Sequence, residues 1–179
     1  MIKYETIINS QASLLKFVQL ENKLIKNNNN LEVVSGNIAR YTSSKDKDGL
    51  IKTFDSTITE LNDLISIASA MNKIIPLPSL NGWVSYANEA IDLMRFMKND
   101  VMTVGFTETP TDTDREMVKR SAELAKKRID LSNKYSKEIS DWIFTNRDSV
   151  QKDIDRLVID GNQACNEASK KYQTLYPGN

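Results

Sequence analysis

The run IKTFDSTITELNDLISIASAMNKII, residues 51–75, decides the fold class. Its apolar residues Ile51, Phe54, Ile58, Leu61, Ile65, Ala68, Met71 and Ile75 step by three or four throughout. That period puts them on one face of an α-helix. A helix with one such face is stable only when another element covers it, so the run predicts a bundle. Pro76-Leu77-Pro78 ends the run, because proline lacks a backbone donor and clashes with the preceding turn.

Reading outward, the same period recurs on both sides. Upstream, Tyr4 to Lys26 carries Tyr4, Ile7/Ile8, Leu14/Leu15, Val18 and Ile25 as a stripe. Asn27-Asn28-Asn29-Asn30 then predicts a break, because the Asn amide competes for backbone hydrogen bonds. A short helical segment follows with Leu31, Val34, Ile38 and Tyr41, and Ser43 to Gly49 reads as a loop. Downstream, Ser79 is the expected cap of a helix carrying Leu80, Trp83/Val84, Ala87, Ile91, Met94, Met97/Lys98, Val101 and Val104, with Gly105 as its stop.

Gly105 to Asp112 is the longest expected loop, and Thr113 with Glu116 reads as a capping box. The fifth segment has Met117, Ser121, Leu124, Arg128, Leu131, Tyr135, Ile139 and Trp142 on one face, widened by Ala122, Ala125, Ile129 and Ile143. Thr145 to Ser149 predicts a turn, with one very long helix as the alternative. The last segment carries Val150, Ile154, Leu157/Val158, Ala164/Cys165, Ala168, Tyr172 and Leu175, and frays at Pro177-Gly178. The expected fold is therefore all-α: an elongated antiparallel bundle of four to six helices forming a single domain over residues 1–179.

Composition removes most catalytic classes. The chain of 179 residues has no His and one Cys. That excludes a His general base, an imidazole metal ligand, an internal disulfide and a thiolate-rich zinc site. The six glycines are scattered singly, so no glycine-rich phosphate loop exists. Asp46-Lys47-Asp48-Gly49 looks like part of a calcium loop, but counting from Asp46 the sixth and twelfth positions hold Ile51 and Thr57 instead of Gly and an acid. Cys165, on or beside an apolar stripe, reads as a small hydrophobe. No enzymatic activity, cofactor or metal is expected.

Twenty-four Lys+Arg balance 24 Asp+Glu, so nothing pulls the whole chain toward nucleic acid, and no binding to it is expected. The exception is local. From Arg115 to Lys137 eight basic residues face three acids. Lys119, Arg120, Lys126 and Lys127 recur at a seven-residue interval and Arg128 joins them, which makes these five the candidate partner- or anion-binding residues. The competing reading is a solvated face balanced by Asp55, Glu60 and Asp63. Trp83, Tyr86, Phe96, Met94, Met97 and Met102 are expected in the core, and Phe106, in the long loop, is a candidate contact outside it.

No stretch approaches the length of a membrane span, and the N-terminus has no signal-peptide pattern. The compartment stays open: cytoplasm, a virion, or a trimmed extracytoplasmic fragment. Lys, Asn and Ile occur 17 times each, and their A/T-rich codons fit a low-GC microbe or virus. Asn37-Ile38-Ala39-Arg40-Tyr41, its charged loop and the helix from Leu50 are similar to the helical-bundle sensor domains of bacterial chemoreceptors. That resemblance implies a ligand site using Arg on bundle helices, with Arg128, Arg95 or Arg120 as the contact. In size and helicity the chain also resembles the minor pilus components of conjugation machines, a likeness of general pattern. The first expectation is a non-enzymatic interaction or structural component that binds a protein partner or itself through helix faces. The alternative is a sensor domain for a small anionic molecule.

Overall fold

The computed structural model describes residues 2–175, with side chains from residue 12 to 148 and at a subset of positions beyond. It is all-helical, with four helices: α1 (Ile2–Ser43), α2 (Lys47–Ile74), α3 (Pro78–Thr103) and α4 (Asp112–Leu175). The chain divides into two compact units, residues 1–138 and 139–179. The first contains α1, α2, α3 and the first part of α4. The second contains the remainder of α4.

Two expected breaks are helical instead. Asn27–Asn30 lies inside α1, and Thr145–Ser149 lies inside α4. In both places the competing side-chain groups have found other work. Thr145 Oγ1 donates to the Asp141 carbonyl at 2.8 Å and Asn146 Nδ2 to the Trp142 carbonyl at 2.8 Å, so both stay within the helix. The Asn27 and Asn30 amides bond instead to α2, as described below.

Contacts within the first unit fix which residues meet. Along α2 and α3, Lys47 Nζ donates to the Met102 carbonyl, Lys98 pairs with Asp55, and Asn72 Nδ2 donates to Asn81. Rising numbers on α2 thus meet falling numbers on α3. The core is Leu50, Phe54, Leu61, Leu64, Ala68 and Met71 of α2 and its C-cap Ile75, with Leu80, Trp83, Tyr86, Ala87, Ala90, Ile91, Leu93 and Met94 of α3. Phe17, Leu24 and Leu31 of α1 and Met117 and Leu131 of α4 complete it. In α2 the buried face includes Leu50, Thr57 and Leu64, beside the expected Ile51, Ile58 and Ile65, which are only half-buried.

The helix ends are built differently from expectation. α2 begins at Asp46, whose carboxylate accepts the Gly49 N–H at 2.9 Å; the calcium-like residues are a cap. α3 begins at Leu77, with Pro78 in its first turn. Ser79 does not cap it: the residue is buried, and its backbone N–H is satisfied from α4 by the Glu138 carboxylate at 2.9 Å. α3 ends where Gly105 adopts φ +77, a left-handed conformation that glycine reaches without strain. The capping box of α4 is Thr111 with Asp114, two residues before the expected pair. Asp114 Oδ2 accepts both the N–H and the hydroxyl of Thr111, which in turn accepts the Asp114 N–H. Gly82 lets α3 and α4 approach, since a Cβ there would run into the Leu131 side chain.

Within the second unit, Ile143, Phe144 and Ile159 are exposed. The side chains of Val150, Ile154, Leu157, Val158, Ala164, Cys165, Ala168, Tyr172 and Leu175 lie outside the described set, as do those of Tyr4, Ile7 and Ile8, and Pro177 and Gly178 lie outside the described residues. No described helix is long and apolar enough to cross a membrane.

Candidate functional site

The basic stretch of α4 separates into two groups. Lys127 and Arg128 pair with acids on other helices. Lys127 Nζ donates to Glu89 of α3 at 2.6 Å, and that bond holds the Glu89 carboxyl below its ordinary range. Arg128 Nη2 donates to the Asn28 carbonyl at 3.0 Å and to the Glu32 carboxylate at 3.3 Å, both on α1. Lys119 and Lys126 are exposed, and Arg120 lines a surface groove with Glu89, Glu123, Leu124 and Lys127. The acids that balance this helix are Glu89 and Glu32, not the expected Asp55, Glu60 and Asp63; Asp55 pairs with Lys98. Arg95, Arg120 and Arg128 line different places, with Arg95 beside Asp92 on exposed surface.

Beside Arg128 lies a polar layer. Asn27 Nδ2 donates to both the carbonyl and the carboxylate of Glu60 at 2.8 Å, and Asn30 Nδ2 donates to the other carboxylate oxygen at 3.0 Å. Asn27 is a core residue, 4 % exposed. Its own Oδ1, like that of Asn28, has no partner among the described residues. Further along, Tyr135 Oη donates to Glu21 at 2.7 Å, and burial together with that carboxylate pushes the phenol well above its ordinary value.

Counting Asn27 as core reveals the true buried row of α1. Phe17, Leu20, Leu24, Asn27, Leu31, Val34, Ile38 and Tyr41 are all buried or half-buried, at steps of three and four. The expected stripe is different: Leu15, Val18 and Ile25 are exposed, by 60 %, 50 % and 55 %. With Asn22, Asn29 and Val33 they form a second row, also at steps of three and four, all exposed. At 3.6 residues per turn the two rows point in nearly opposite directions. α1 is therefore apolar on two sides, and only one is covered.

A cleft of about 810 Å³ lies at the loop end of the first unit. Its apolar wall includes Leu50 and Phe54 of α2, Met97 and Val101 of α3, and Met117 and Val118 of α4. Phe106 also lines it, half-buried, so the long loop contributes an aromatic wall rather than an outward contact. Charged residues Lys45, Asp100, Glu108, Asp114, Arg115 and Lys119 complete the lining. The Thr111 hydrogen bonds keep the Asp114 carboxyl below its ordinary value. A second cavity of about 250 Å³ between the helices shares Met97 and Ser121 with the cleft and reaches Tyr86 and Arg128.

Phe106 and Lys119 are the sequence candidates that the cleft brings together; Lys126, Lys127 and Arg128 lie away from it. Sequence reasoning missed the cleft, because its walls come from residues far apart in the chain. It also placed Leu15, Val18 and Ile25 of the outer row of α1 on the packed stripe. The available signal was the unbroken spacing from Phe17 through Asn27 to Tyr41. Among the described residues, no group of three or more acids or thiols is placed to hold a metal ion. Compared with protein-family models, curated proteins and solved structures, the chain matches none.

Proposed function

We propose that the chain is a non-enzymatic interaction component, an antiparallel bundle that binds a helix of a protein partner or of a second copy. The observation that carries this reading is the second apolar row of α1. Leu15, Val18, Ile25 and Val33 stay in solvent with Asn22 and Asn29 between them, in the spacing of a coiled-coil seam. Large side chains aligned on one exposed face mark contact surfaces more often than scattered ones do. Asn in such a seam favours one register of pairing over others. Lys119 and Lys126, left exposed on α4, add preference for an acidic partner. The antiparallel arrangement is supported by the opposed numbering of contact partners. The alternative, a sensor for a small anion, comes second: Arg128 already has its charge met by Glu32 and the Asn28 carbonyl.

Sedimentation of the full chain over a wide concentration range reads self-association. Affinity capture by the wild type against Ile25→Asp reads a protein partner. The expected result is that one of the two is lost in the variant while helicity is unchanged. A strict monomer whose captured proteins are identical for both chains overturns the reading.

A further inference from the structure

The cleft and the inner cavity have a chemistry distinct from the α1 row. The cleft volume of about 810 Å³ is that of a small-molecule site, which typically holds 300–1,000 Å³. Its apolar wall is already in place. Leu50 and Phe54 are fixed in the α2 core, and the loop above them is held at one end by Gly105 and at the other by the Thr111–Asp114 clamp. A preformed wall lowers the entropy lost on binding.

The polar inventory then defines the ligand. Four buried polar side-chain atoms lack partners among the described residues: Asn27 Oδ1, Asn28 Oδ1, Ser79 Oγ and Trp83 Nε1. None belongs to a residue lining the cleft or the inner cavity. No fully buried polar atom without a partner among the described residues therefore lines either space. The charged lining of the cleft carries both signs equally, with Lys45, Arg115 and Lys119 against Asp100, Glu108 and Asp114, and the inner cavity adds Arg128, whose charge Glu32 meets. A strongly charged ligand gains no net attraction from such a rim. Shape supplies the last constraint. Met97 and Ser121 line both cavities, so a flexible thioether and a small hydroxyl stand between the two. Beyond them the inner cavity is walled by Leu31, Leu61, Leu93, Met94 and Leu124.

We propose that the cleft and inner cavity together bind one elongated, uncharged aliphatic molecule, its chain passing between Met97 and Ser121. A membrane lipid and a free long-chain compound share this chemistry.

The test uses the full chain after organic extraction, with Nile red as the neutral reporter and dodecanol as the competing chain. Saturable binding at one Nile red per chain, displaced by dodecanol, is expected. Ser121→Leu, which narrows the passage, and Val101→Phe, which fills the cleft, should each weaken dodecanol binding at least tenfold with helicity retained. Ile25→Asp, on the outer row, should bind as the wild type does. If one filling variant fails to fold, the other reads the same passage. Withdrawal of a labelled chain from neutral phosphatidylcholine vesicles would identify a membrane source, and displacement by free dodecanol without withdrawal a soluble one; either supports the site. Absence of saturable binding, or equal affinity in Ser121→Leu, Val101→Phe and the wild type, overturns the proposal.

Discussion

α1 and α2 are neighbouring helices with opposite relations to water. The covered face of α2 is apolar apart from Thr53, Thr57 and the half-buried Glu60, and the opposite face carries Lys52, Asp55, Thr59, Asn62 and Asp63. The covered row of α1 is interrupted by Asn27, while the outer face carries Leu15, Val18, Ile25 and Val33. In α2 periodicity points one way, toward the core. In α1 two rows point nearly opposite ways, and periodicity alone cannot choose between them. What separates the rows is the Asn27–Glu60 bond: a polar side chain sits in the core because a carboxylate on the next helix meets it. A core position is defined by its partner, not by its hydropathy.

The strongest way to test this contrast is to cut into α2. Phe54→Ala empties a site that is 1 % exposed and should cost about 3–5 kcal/mol in urea unfolding. A loss below about 1 kcal/mol would mean that α2 is not the central element. Next comes the polar layer. Glu60→Ala removes the carboxylate from both amides, leaving Asn27 only the residue-60 carbonyl and Asn30 without its acceptor, and should cost about 1–3 kcal/mol. Replacing both partners, Asn27→Leu with Glu60→Leu, makes α1 read like α2 and should be nearly neutral or stabilising. A double variant no better than Glu60→Ala would show that the bond carries stability of its own.

A smaller effect sits at the start of α4. Thr111→Ala should cost about 1 kcal/mol by removing the cap. It should also change the response to acid. The Asp114 carboxyl titrates below its ordinary value in the folded chain, so its contribution is present at neutral pH and is lost as pH falls below about 4. Thermal melts against pH should show that acid loss reduced but not abolished in Thr111→Ala, because the backbone N–H of residue 111 still donates to Asp114. The smallest expected effect on stability is at the outer row. Ile25→Asp removes no buried contact and should shift unfolding by under about 0.5 kcal/mol while acting on association.

Much of this was legible in the sequence. Stripe spacing predicted the helices, Pro76 and Pro78 the α2–α3 boundary, and Gly105 the end of α3. What could not be read was set by contacts distant in the chain. Asn27 finds Glu60 thirty-three residues away, and Ser79 finds Glu138 fifty-nine residues away, so local propensity placed a break and a cap where neither exists. Basic residues on α4 looked alike in sequence, yet Lys127 and Arg128 are committed to Glu89 and Glu32 while Lys119 and Lys126 face water. The Phe106 loop was singled out as a contact, but not the cleft it walls, because Leu50, Phe54, Met97 and Met117 carry no common motif.

The two tryptophans fall one to each unit. Trp83 is 2 % exposed in the first, its ring edge-on to Tyr86 at 5.6 Å, and Trp142 is half-buried in the second. The chain therefore contains its own pair of optical reporters. Trp142→Phe leaves an emission that follows the first unit alone, blue-shifted until the core opens. Trp83→Phe leaves one that follows the long helix beyond Glu138. Superimposed melting curves would mean that one transition governs both units, and separated curves would date the opening of each.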